Sequence, residues 1–112
     1  MTVSELVVEA GFRVVNMPSP DTGVSGCYAG DLLSNVMDKA SKGQCFATVM
    51  TCVNVAAIAA LVDMPCVILC EGAEPDELML SSAEARGLNI AVSDMPLYET
   101  CLAIGRLLSE SE

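Results

Sequence analysis

Residues Cys45–Cys70 read CFATVMTCVNVAAIAALVDMPCVILC. Two short apolar runs, Cys45–Met50 and Pro65–Cys70, flank an Ala-rich run, Val55–Val62. The outer runs have the length of buried strands. The middle one is apolar nearly all round, which predicts a helix packed against a sheet or against a second subunit. The alternation continues downstream, where Pro75–Arg86 predicts a helix, Leu88–Val92 a strand and Pro96–Leu108 a helix. This order demands parallel strands, because a parallel pair needs a crossover element between its members. The fold class is α/β, a single three-layer domain around a mainly parallel sheet of about five strands.

Upstream, Thr2 with Glu5 fits a capping box, and Val3–Ala10 can form a helix ending at Gly11. Phe12–Asn16 reads as a strand, and Met17–Gly26 (MPSPDTGVSG) as a long loop. Cys27–Gly30 is a brief strand. Asp31 then caps a helix in which Leu33, Val36, Met37 and Ala40 fall at helical spacing, with Gly43 closing it. Asn54 is the expected cap of the Ala-rich helix. Pro75 at a first helical position, Arg86 in a last turn and Gly87 just beyond punctuate the next one. Residues 1–108 form the domain, and 109–112 an acidic tail expected to be disordered.

Hydrophobic residues make up 53% of the 112, yet aromatics only 4% and Trp none. The core must therefore be built from Val, Leu, Ile, Ala, Met and Cys. No apolar run approaches the ~18 residues of a membrane span, and the acidic N-terminus does not resemble a signal peptide. Five basic against fifteen acidic residues give a net charge of −10. Nucleic-acid binding draws most of its affinity from Lys and Arg meeting phosphates, so nucleic acid and anionic membranes are disfavoured as partners. The six cysteines, at 27, 45, 52, 66, 70 and 101, contain no CxxC pair. They read as small hydrophobes in a reducing cytoplasm rather than as a disulfide framework or a metal site.

Catalytic signatures are missing. There is no GxxxxGK[ST] phosphate loop, no GxGxxG and no His, so no His-activated nucleophile and no His metal site can form. The chain is read as a non-enzyme needing no cofactor. Ligands of open parallel sheets bind beyond the carboxyl ends of strands, which points to Thr51, Cys52 and Asn54, to Gly72 and to Asp94. These carry small polar groups and lead into helix N-termini, where free N–H groups favour anions. The loop bearing Asp21, Ser25 and Gly26 is the other candidate. For each residue the plainer alternative is a cap, a turn or a solvated surface group.

The stretch DTGVSGCYAGDLLSNVMDKASKGQCFATVMTCVNVAAIAALVDMPCVILCEGAEPDE resembles the DRTGG domain. Asp21, Ser25 and Gly26 stand in that family's name-giving loop. Tyr28, Asp31, Leu32, Leu33 and Ser34 match its Gly-Tyr-x-x-Asp-Leu-Leu-Ser segment. Thr48, Thr51 and Asn54 match its polar strand end and Asn-initiated Ala-rich helix, and Gly72 and Pro75 its Gly-x-x-Pro turn. The resemblance extends from Met1 to about Leu108. The loop here lacks the family's Arg and one Gly, and Met50 and Cys52 stand where the family often has Gln and His.

The resemblance implies a fold like the N-terminal, non-catalytic domain of HPr kinase. It also implies an accessory role of the kind such domains have beside phosphotransacetylases, CBS-domain pyrophosphatases and iron-only hydrogenases of anaerobes. The expectation is a non-enzymatic regulatory or protein-interaction module, cytoplasmic and homodimeric, in anaerobic energy or phosphate/acetyl metabolism. The second reading is a sensor that binds a small anionic metabolite or nucleotide at the residues named above.

Overall fold

The computed structural model describes residues 1–111. Its strands are β1 (Arg13–Asn16), β2 (Gly26–Ala29), β3 (Gln44–Thr48), β4 (Cys66–Leu69) and β5 (Asn89–Val92). Its helices are α1 (Val3–Ala10), α2 (Leu33–Lys39), α3 (Val53–Val62), α4 (Glu77–Arg86) and α5 (Leu97–Glu110). The sheet order is β1-β5-β4-β3-β2. Strands β2 to β5 are parallel and adjacent in chain order, while β1 joins β5 antiparallel, so the sheet is mixed.

Three layers follow from which face each helix covers. Val36 of α2, Val55, Ala56 and Ala59 of α3, and Met79 and Ala83 of α4 pack on Phe46, Val67, Leu69, Ile90 and Val92. On the other face Val3, Leu6 and Val7 of α1 and Ile104 of α5 pack on Cys45, Cys66, Ile68 and Ala91. Successive residues of the central strands thus point into different cores. This is why β4, CVIL, and the interior of β3 read as unbroken apolar runs rather than alternating ones. A fully buried side chain such as Phe46 or Ile68 contributes about 1.5–3 kcal/mol relative to exposure.

Helix ends show where local chemistry prevails and where packing overrides it. Thr2 and Glu5 form the capping box: the Glu5 N–H donates to Thr2 Oγ1 at 3.2 Å, and the Thr2 N–H donates to Glu5 Oε1 at 3.0 Å. Hydrogen bonding from Thr2, first from its backbone N–H and then from its side chain, holds the Glu5 carboxyl below its ordinary value. Gly11 and Gly87 are left-handed caps of α1 and α4.

Two expected caps are corrected. Helix α2 starts from Leu32, not Asp31, because the phase that buries Val36 sets its first turn at Leu33. It ends at Lys39, before Gly43. Helix α3 starts from Cys52, and Asn54 lies inside its first turn. There the Met50 N–H donates to Thr48 Oγ1 at 3.2 Å, turning the chain early. For α4 the cap is Asp76 rather than a helical Pro75, with the Met79 N–H donating to Asp76 Oδ1 at 2.7 Å. Helix α5 runs on through Ser109 and Glu110, so those two residues of the expected tail continue the helix, and Glu112 lies outside the described residues.

Candidate functional site

The parallel strands give the domain two ends, and the residues singled out from the sequence divide between them. Thr51, Cys52 and Asn54 follow β3, Gly72 follows β4 and Asp94 follows β5, all at the carboxyl end. Asp21, Ser25 and Gly26 precede or open β2, at the amino end. A strand of four or five residues separates the two groups by roughly 13–17 Å, so they do not form one site.

The carboxyl end is a tied rim. The Cys70 N–H donates to Thr48 O at 2.9 Å and the Ser93 N–H to Leu69 O at 2.7 Å. The Gly72 N–H donates to Ser93 O and the Glu71 N–H to Met95 O, both at 2.9 Å. The Asp76 N–H reaches Thr51 O at 3.2 Å. Behind the rim, Ser93 and Thr100 are buried with their hydroxyls 2.8 Å apart. Thr100 Oγ1 donates to Met95 O at 3.2 Å, so the Ser93 hydroxyl donates to Thr100 and accepts from the Met95 N–H at 3.2 Å. Glu71 and Gly72 are consecutive left-handed residues, at φ 59° and 67°. A Cβ on Gly72 would stand 3.4 Å from Asp94 Oδ1, so the structure brings those two candidates together.

Two observations set what this rim can do. Strands β2 to β5 run in unbroken order with their crossover helices on one face, so no reversal of strand order opens a crevice there. Charge is the second. Asp31, the Glu71–Glu77 segment with its four carboxylates, and Asp94 and Glu99 place seven of the fifteen acidic residues at this end. Among the described residues Arg13 is the one cation there, and nothing in its sequence position signals it. It arrives because β1 is antiparallel and begins opposite Val92, and it is hydrogen-bonded to Glu74 in an exposed ion pair. Nothing in the FRVVN run signals strand direction.

The amino end differs. A cleft of about 250 Å³ lies between the loop after β1 and the carboxyl ends of α3 and α4, and Ser19, Thr22, Lys42, Asp63, Met64 and Arg86 are among its lining residues. Its wall is fixed by buried Asn89, whose side chain bonds Ser19 N, Ser19 O and Pro65 O at 2.8–2.9 Å. Of the candidate loop, Asp21 and Ser25 are exposed, and the Ser25 N–H donates to Gly43 O at 2.9 Å.

The outer face of the α2–α3–α4 layer carries a third feature. Asn54, Ala57 and Leu61 form the outward stripe of α3, a helix without a charged residue, and Leu61 is 69% exposed. Asn54, Ala57 and Ile58 line a groove of about 300 Å³ with Leu33, Ser34 and Met37 of α2. Asn54 therefore belongs to this groove as much as to the rim.

All six cysteines are free, and Cys52 alone is exposed. Burial pushes the Cys27, Cys45, Cys66, Cys70 and Cys101 thiols up from their ordinary values. A thiol held protonated is a poor nucleophile and a poor metal ligand. Among the described residues no three His, Cys, Asp or Glu side chains are grouped as a metal site, and no helix is long and apolar enough to cross a membrane.

No protein-family profile and no curated protein matches the chain. Among solved structures it is similar to the CBS and DRTGG domains of the regulatory region of Clostridium perfringens pyrophosphatase, a structure complexed with the activator diadenosine tetraphosphate. The TM-score is 0.72 at 9% identity, over 92% of this chain and 45% of that one, so the chain spans less than half of the protein it matches. At that identity the likeness is one of fold, and it supports the DRTGG-like α/β architecture.

Proposed function

We propose that this domain is a regulatory interaction module without catalytic activity of its own, working as a homodimer through the outer face of α3. The observation that carries the reading is the charge-free outward stripe of α3. In a chain of net charge −10, Ala57, Ile58 and Leu61 with Met37 beside them form an apolar surface, and no carboxylate lines the groove between α2 and α3. Exposed apolar surface of this kind marks contact sites, and a two-fold axis through α3 would set the same patch of both copies against itself. Asn54, the polar member of the stripe, would set the register of the pairing, as a lone polar group does in helical interfaces.

Support for a regulatory rather than catalytic role comes from the suppressed thiols, the lack of His and the fold shared with a regulatory region. The free thiols favour a reducing cytoplasm. The family resemblance favours a setting in anaerobic energy or phosphate/acetyl metabolism.

The test is the solution mass by light scattering on size exclusion. The expected value is twice the 11.7 kDa chain mass, falling to the chain mass in Ala57→Glu with helical circular dichroism unchanged. A monomeric wild type, or an Ala57→Glu dimer, refutes the α3 interface.

A further inference from the structure

We infer that the amino-end cleft binds the phosphate group of a small phosphorylated metabolite, held between Lys42 and Arg86. The chain has five cations, and two of them line this one cleft of about 250 Å³. Among the described residues Arg13–Glu74 is the one ion pair, so neither Lys42 nor Arg86 is committed to a carboxylate. Arg86 donates from Nε to Ser82 Oγ at 3.0 Å, one turn back along α4, and among the described residues its terminal guanidinium nitrogens have no protein partner. Arg offers a planar fork and Lys a point charge, a pairing suited to a tetrahedral dianion.

The negative groups at the same end are largely occupied. The left-handed caps return the Asp63 N–H to Ala59 O and Ala60 O, and the Gly87 N–H to Ala83 O and Glu84 O. The Gly43 N–H takes Asp63 O at 3.3 Å, and Asn16 Nδ2 takes Leu88 O at 2.8 Å. The Asp63 carboxylate is the remaining opposing charge in the lining. Thr22 adds a hydroxyl, the Ser19 hydroxyl donates to Gly87 O at 3.5 Å, and Met64 and Leu88 form an apolar floor. The volume lies below the 300–1,000 Å³ of drug-sized pockets, so the cleft takes a phosphate with a few attached carbons and not a whole dinucleotide. The carboxyl-end rim, with its seven carboxylates, repels the same group. This assignment is independent of pairing through α3, and its test is read whether the chain is monomer or dimer.

The test is an amide NMR titration of the full chain at low salt, where screening is weakest, with inorganic phosphate in one arm and a triose monophosphate in the other. Saturable shifts at Lys42–Gln44, Asp63–Met64 and Arg86–Asn89 are expected in both. A tighter triose arm identifies a phosphomonoester as the ligand, and equal arms identify free phosphate. Lys42→Gln and Arg86→Gln should each weaken binding about tenfold, the effect of losing one charge-assisted contact. Asp63→Asn should tighten it, and Lys39→Gln should leave it unchanged. All four positions are exposed, so Lys39→Gln, Lys42→Gln and Arg86→Gln stay folded, and Asp63→Asn, at φ 62°, puts a residue that tolerates the left-handed region at the α3 cap. Non-saturating shifts, shifts centred on Thr51, Gly72 and Asp94, or equal losses from Lys39→Gln and Lys42→Gln would overturn the assignment.

Discussion

At Gly72 the backbone sits at φ 67°, directly after Glu71 at φ 59°. A left-handed residue with a Cβ costs roughly 1–2 kcal/mol, and one such residue is already carried at Glu71. Gly72→Ala should therefore destabilise the domain by about 1–2 kcal/mol in urea unfolding, whereas Gly105→Ala, in the interior of α5 with open space around it, should be neutral or stabilising. Equal effects would show that the rim turn is not conformationally demanding.

The thiols give a second residue-scale expectation. Burial raises the native values of Cys45 and Cys66 above those of the unfolded chain. The native state then keeps protons that the unfolded state releases. The associated stability is whole below the unfolded value of about 8.5 and declines as pH rises above it. Melting temperature should fall on the alkaline side, and a Cys45→Ala, Cys66→Ala double variant should flatten that limb. Under native conditions a thiol reagent should label Cys52 first, and Cys52→Ser should abolish the fast phase.

Among the elements, α3 and α4 are opposite cases. Helix α4 is set by local chemistry: Asp76 caps it, and Gly87 ends it. Asp76→Ala should cost about 1 kcal/mol, with Asn partly restoring it. Helix α3 has no side-chain cap at all, so its stability comes from burying Val55, Ala56 and Ala59 against the sheet. Asn54→Ala should leave the unfolding free energy of the monomeric Ala57→Glu background within about 0.5 kcal/mol of its parent, as expected of a surface position. A larger loss would restore Asn54 to the role of cap that its sequence position suggests.

For the whole molecule the informative feature is its polarity. Seven carboxylates with Arg13 ring the carboxyl end of the sheet, Lys39, Lys42 and Arg86 stand among the carboxylates of the amino end, and α3 presents an uncharged stripe on one outer layer. An acidic monomer repels its copy, so a dimer through α3 should be stronger at higher ionic strength, and light scattering across a salt series should show the dissociation constant falling as salt is added. A dimer weakened by salt would point instead to an interface held by ion pairs, for which the α3 stripe has no groups.

The run Cys45–Cys70 determined the α/β class and the parallel pairing by itself, because crossover geometry leaves no alternative for strand–helix–strand order and because strands buried on two faces must be apolar throughout. The Thr2–Glu5 box and Gly87 were equally legible, since each satisfies its bonds within a few residues. Only tertiary structure decided the rest. The antiparallel placement of β1, and with it Arg13 on the rim, depends on pairing across the chain from Val14 to Ala91. The first turns of α2 and α3 were set by which residues must face the core, which overrode the caps suggested by Asp31 and Asn54. The division of the candidate residues between two ends, and the meeting of Lys42 with Arg86 in one cleft, are likewise products of long-range packing, because residues that far apart along the chain share no local signal.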